Sequence, residues 1–234
     1  MSFDLGVWFE EARPSRAAAA ETYRRLCAGE AAAVTPTAAI QGFHAALVAE
    51  FPEATDEGDT SDEESDESSP WSAGLDVGDG HAILPITWGR AADVAPRVLE
   101  LADQHGLLCF DPQAGVVHAP PALRAESAPE LRSCVGLPVG DPDPETVEQA
   151  VRRLSADNWF VILEGPAGRF AQVGVGAPAG AEAGGHAVEY RDGSMDRHYR
   201  AILPDRDQVV SVFADFLRDP STRPTGVTWE SLFG

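Results

Sequence analysis

Residues 53–69 carry nine carboxylates and no base, set among Ser, Thr, Gly and Ala. No other segment constrains the fold as strongly. Such a composition cannot bury enough apolar surface to offset the entropy of ordering it, so it reads as a solvated loop. Any core in the first part of the chain must close around it, from elements on either side. Upstream, Phe3, Leu5, Val7 and Phe9 alternate with Asp4, Gly6 and Trp8, the period of a strand. Two helices follow. The first runs from Ser15 to Ala28 and stops at Gly29; Thr35-Pro36 opens the second, whose face carries Ile40, Phe43, Leu47 and Phe51.

Downstream, Pro70-Trp71-Ser72 restarts order. A hairpin pairs Ser72–Asp76 with His81–Trp88 across a Gly78-Asp79-Gly80 turn. Arg90 to His105 is helical, with Val94, Val98, Leu101 and Ala102 as its stripe and Gly106 as its stop. Leu107–Phe110 and Val116–His118 are short strands. This order predicts an α+β fold, mostly antiparallel sheets with helices packed on one face. Residues 119–133, rich in Pro and Ala, read as a linker. They separate an N-terminal domain (1–118) from a second small α+β domain (134–234).

The second domain is built from clearer signals. Asp143 caps a helix with Pro144 in its first position, and Val147, Ala150, Val151 and Leu154 follow helical spacing. Trp159–Leu163 and Phe170–Val175 form one hairpin, Ala187–Arg191 and His198–Leu203 another. Asp205 and Gln208 open a last helix with Val209, Val212, Phe213 and Phe216 inward. Trp8, Trp71, Trp88, Trp159 and Trp229 each sit at the edge of an element, which predicts core or rim packing.

Charge narrows function. The chain has 38 acids against 17 bases, all arginine, for a net −21. So negative a chain repels nucleic acid and anionic membrane surfaces, and its field suits a basic protein partner. No apolar run approaches the roughly 20 residues of a membrane span. The first residues lack the basic start and apolar stretch of a secretory signal, so the expected compartment is the cytoplasm. Cys27, Cys109 and Cys134 have no paired or metal-binding spacing and read as buried, reduced thiols.

Catalytic templates are lacking: there is no GxSxG, no phosphate loop and no HExxH. His44, His81, His105, His118, His186 and His198 never fall three or four apart. The expectation is a protein that is not an enzyme and takes neither cofactor nor metal. Two features point to binding instead. Asp56, Glu57, Asp59, Asp62, Glu63, Glu64, Asp66 and Glu67 form either a solubilising loop or a mimic of a phosphate backbone that meets arginines and lysines on a partner. In the second hairpin, alternation sends Val188, Tyr190, Tyr199 and Ala201 to one face. Glu189, Arg191, His198 and Arg200 go to the other, with Asp192 and Asp196 at the turn. That charged face is either cross-strand ion pairing or an arginine-rich contact surface. Trp229 joins the candidate contacts. A rival reading makes His198, Glu189 and Asp196 a dispersed catalytic site; another makes the chain a non-catalytic scaffold or regulator.

Several segments carry a family likeness. Asn158–Leu163, Phe170–Val173, Val188–Ser194 with Asp196–Arg200, and Trp229-Glu230 together make the part from Cys134 to Phe233 resemble an immunity-protein family of bacterial polymorphic toxin systems. The first half, with DLGVW, SPWS and HGLLCFDPQ, resembles a domain of actinobacterial proteins with no known activity, and the lysine-free, Ala- and Arg-rich composition is similar to that of such organisms. The resemblance implies a cognate antitoxin that binds and occludes a deaminase-type toxin acting on nucleic acid, and that needs no catalytic residues.

Overall fold

The computed structural model describes residues 2–30, 33–53, 69–182 and 184–233. The chain forms two compact units, Met1–Arg124 and Ala125–Gly234. Each is an antiparallel sheet with helices, so the class is α+β. Among the described residues no helix is long and apolar enough to cross a membrane.

Unit 1 is built from β1 (Ser2–Trp8), α1 (Arg16–Cys27), α2 (Ala38–Glu50), β2 (Asp76–Val77), β3 (His81–Thr87), α3 (Ala91–Gln104), β4 (Leu108–Asp111) and β5 (Val116–His118). Its sheet order is β2-β3-β1-β4-β5. Helix α1 starts where Ser15 accepts the amide of Ala18; α2 starts where Thr37 accepts that of Ala39. Strand β1 is central, and its last four residues are buried on both sides. Gly6, Ile83 and Phe110 share one face by register, as do Trp8 and Leu108. Ala19 and Leu26 of α1 pack into that cluster, with Tyr23 against it. A Cβ on Gly6 would lie 2.7 Å from Cδ2 of Tyr23, so the missing side chain lets α1 approach the sheet. Leu5, Val7, Leu84, Ile86 and Cys109 bury the opposite face, and α2 and α3, packed together, cover it. Helices therefore lie on both faces of this sheet, where the sequence reading put them on one. The reason is that β1 is apolar on both sides, Trp8 included, so each face needs a cover.

Unit 2 contains β6 (Glu130–Ser133), β7 (Val139–Gly140), α4 (Pro144–Arg152), β8 (Phe160–Glu164), β9 (Phe170–Val175), β10 (His186–Arg191), β11 (His198–Leu203), α5 (Arg206–Arg218) and β12 (Glu230–Ser231). The order is β12-β11-β10-β9-β8-β6-β7. Glu130–Ser133 corrects the linker reading: it pairs with Ile162 and its neighbours in β8, and a ladder partner outweighs Pro- and Ala-rich surroundings. Asp143 caps α4 through Thr146, and Asp205 caps α5 through Asp207 rather than Gln208. One face of the sheet (Leu131, Val161, Leu163, Ala171, Val173, Val188, Tyr190 and Ala201) is buried. Helix α5 covers it with Val209, Val212, Phe213 and Phe216, and α4 packs on α5. Among the described residues no α-helix covers the other face.

The cysteines depart from expectation. All three are free, but only Cys109 is buried; Cys27 and Cys134 are exposed. Trp71 is buried and its indole N–H donates to Phe51 O at 3.1 Å, whereas Trp88 is 55 % exposed.

Candidate functional site

The uncovered face of the unit 2 sheet is ordered by its ladder. Arg132, Ile162, Gln172, Glu189, Arg200 and Glu230 stand opposite one another in turn, one row crossing six strands. Beside it runs a second row, Glu130, Glu164, Phe170, Arg191 and His198. The strands alternate cleanly, so the residues that build the core on one side present this polar strip on the other.

Most charges of the strip are paired. His198 Nε2 donates to Glu189 Oε2 at 3.0 Å, and Arg200 donates to Glu189 Oε1 at 3.2 Å. These side chains are 14–29 % exposed. Arg200 also reaches the carbonyls of Ala179 (2.7 Å) and Gly180 (3.2 Å), which holds the loop after β9 over the face. Gly174 has to be glycine there, because a Cβ would collide with Ala179. The Arg191 guanidinium lies 4.6 Å over the Phe170 ring and donates to Gly168 O. Phe170 also meets His198 edge-on at 5.3 Å. Arg132 pairs with Glu130 and Glu164. Half-exposed pairs of this kind contribute about 0.2–1 kcal/mol each, so they keep the face single-valued more than they stabilise the fold.

The sequence-predicted contact residues divide. Glu189, Arg191, His198 and Arg200 are together, on the face that alternation assigns them. Asp196 lies apart on the β10–β11 turn, fully exposed, and Ser194 hydrogen-bonding holds its carboxyl below the usual range. Trp229 is on the other side of the sheet: its ring packs 6.2 Å from Tyr190 and its indole donates to Pro224 O. It fastens the segment after α5 over the apolar face and does not reach the charged strip. Asp56, Glu57, Asp59, Asp62, Glu63, Glu64, Asp66 and Glu67 lie outside the described residues. Sequence reasoning missed Arg132, Ile162, Gln172 and Glu230; only strand order shows that they share a row with Glu189.

Unit 2 also holds a cleft of about 490 Å³ at the end of β9, walled by Leu154, Trp159, Val175 and Pro178 and reached by His186 and Arg206. Glu189, His198 and Asp196 do not line it. Among the described residues no group of three or more His, Cys, Asp or Glu could hold a metal ion. No family model, curated protein or solved structure matches the chain.

Proposed function

We propose that this chain is an immunity protein: it binds a cognate, basic toxin of the deaminase type that acts on nucleic acid, and occludes it in the cytoplasm of the producing cell. The observation that carries the reading is the sheet face without an α-helix, a strip of partly exposed, mostly paired charges. A surface whose arginines and glutamates are already held in position loses little side-chain entropy on meeting a partner, which suits tight association. The β10–β11 hairpin at its centre is also the segment that carries the likeness to immunity proteins. A chain of net −21 steers a basic partner toward itself.

The rival catalytic reading needs His198, Glu189 and Asp196 to converge in a pocket. The first two lie on an open strip and the third is a solvent-exposed turn residue, which favours binding over turnover. The scaffold reading differs only in the partner. Co-expression with the protein encoded beside this one tests both points. The expected result is a stoichiometric complex and protection of the host from that protein's toxicity. Separate elution together with no protection would sink the immunity assignment.

A further inference from the structure

The cleft at the end of β9 has a chemistry of its own, independent of the open face. Trp159, Pro178, Leu154 and Val175 line it, together with Gly176 and Gly185. Among the described residues no carboxylate lines it, in a chain with 38 acidic residues. The ionisable groups that do are a histidine and an arginine.

Both are held in place. Arg206, the first residue of α5, donates to the carbonyls of Arg152 (2.8 Å) and Leu154 (3.0 Å) at the end of α4. Two of its five N–H groups are so occupied, and it makes no ion pair among the described residues. The carboxylates flanking it in sequence are committed elsewhere: Asp205 accepts the amide of Asp207, and Asp207 accepts from Arg152. Its guanidinium is thus fixed at the cleft with no ion-pair partner among the described residues. His186 is buried, and its Nδ1 lies 3.2 Å from Leu203 O. A carbonyl only accepts, so Nδ1 donates to it and the ring orientation is fixed.

We propose that this cleft binds a small aromatic carboxylate, its ring between Trp159 and Pro178 and its carboxylate on Arg206. The volume falls within the range of about 300–1,000 Å³ usual for small-molecule sites, and apolar walls with a few converging polar groups are the usual composition. A planar ring suits a lining that includes a tryptophan and a proline, and a carboxylate matches the guanidinium fork.

The test is calorimetric titration of the full chain with indole-3-acetate, and with uncharged indole as the comparison. Single-site binding is expected, at least about tenfold tighter for the acid than for indole. Arg206→Gln should weaken the acid by about tenfold or more while leaving indole unchanged. Ala177 lines the cleft from an exposed position, so Ala177→Phe should fill it and abolish both. Circular dichroism confirms that each variant is folded. The absence of saturable binding to the wild-type chain up to about 10 mM overturns the proposal, as does binding that survives Ala177→Phe. Equal affinity for acid and indole overturns the role of Arg206.

Discussion

The two units solve the same problem differently. In unit 1, β1 is apolar on both faces and helices cover both: α1 meets Trp8 and Phe110, while α2 and α3 meet Leu5, Leu84 and Ile86. In unit 2 the strands alternate, so the α-helices cover only the Val188–Tyr190 side, and the Glu189–Arg200 side carries only the loop after β9 and stays partly exposed. A sheet sandwiched between helices has spent both surfaces on stability. A sheet covered once keeps a rigid, flat surface for something else, provided its charges are arranged there without strain. The contrast is why the contact surface is proposed to lie in unit 2.

The sharpest way to break the comparison is to cut each face of each sheet. Trp8→Ala and Leu5→Ala, on opposite faces of β1, should each destabilise unit 1 by about 2–5 kcal/mol in urea unfolding. In unit 2, Val188→Ala should be costly while Gln172→Ala, on the uncovered face, stays within about 0.5 kcal/mol. Comparable losses at Val188 and Gln172 would mean that both faces of unit 2 carry stability. A smaller effect is expected for Gly6→Val, which must push Tyr23 away from the sheet and should cost about 1–3 kcal/mol. Gly89→Ala, where a Cβ meets nothing within 4 Å, serves as its control.

Arg200→Ala should alter stability by no more than about 1 kcal/mol, since the ion pair is partly solvated. It should, however, free the loop at Ala179 and Gly180, and faster amide exchange in that loop would report this. Unchanged exchange would show that Gly174 alone seats the loop.

The smallest effect expected is in acid. In unit 2 the hydroxyls of Ser221 and Thr222 lower Asp219, as Ser194 lowers Asp196. A carboxyl lowered on folding contributes stability above its unfolded value of about 4 and loses it as pH falls through the folded value. In unit 1 the two signs oppose: Arg97 lowers Glu50, while burial raises Asp103 against the pull of Arg124. A raised carboxyl gains its stability above its unfolded value, before the lowered ones lose theirs. As pH falls below about 4, unit 2, with two lowered carboxyls against one in unit 1 among the described residues, should therefore lose more of its stability. Thermal melts followed at unit-specific tryptophans decide this, and an earlier acid loss in unit 1 would reverse the assignment.

Much of this architecture is legible in the chain. Asp143-Pro144 marks the start of α4, and strict alternation from Val188 to Arg191 tells which hairpin residues face the helices. Other parts are not. Alternation in β1 ranks Leu5 and Val7 as inward but says nothing of Gly6, which is small to seat Tyr23. The ELRS stretch of β6 is too short and too close to prolines to announce a strand; its register with Ile162 supplies the signal. The cleft gathers Trp159, Pro178, His186 and Arg206 from separate segments, with no shared spacing to reveal it. Trp229 shows the converse hazard, since position near a charged hairpin does not decide the face of a sheet.

The central claim is that the uncovered face of unit 2 is the contact surface. The most direct measurement is co-purification with the protein encoded beside this one, comparing wild type with the double exchange Glu189→Arg, Arg200→Glu. The exchange keeps opposite charges facing each other across β10 and β11 but inverts the pattern shown to a partner, so fold stability should be retained and the complex lost. A folded variant that co-purifies as well as wild type would contradict the account.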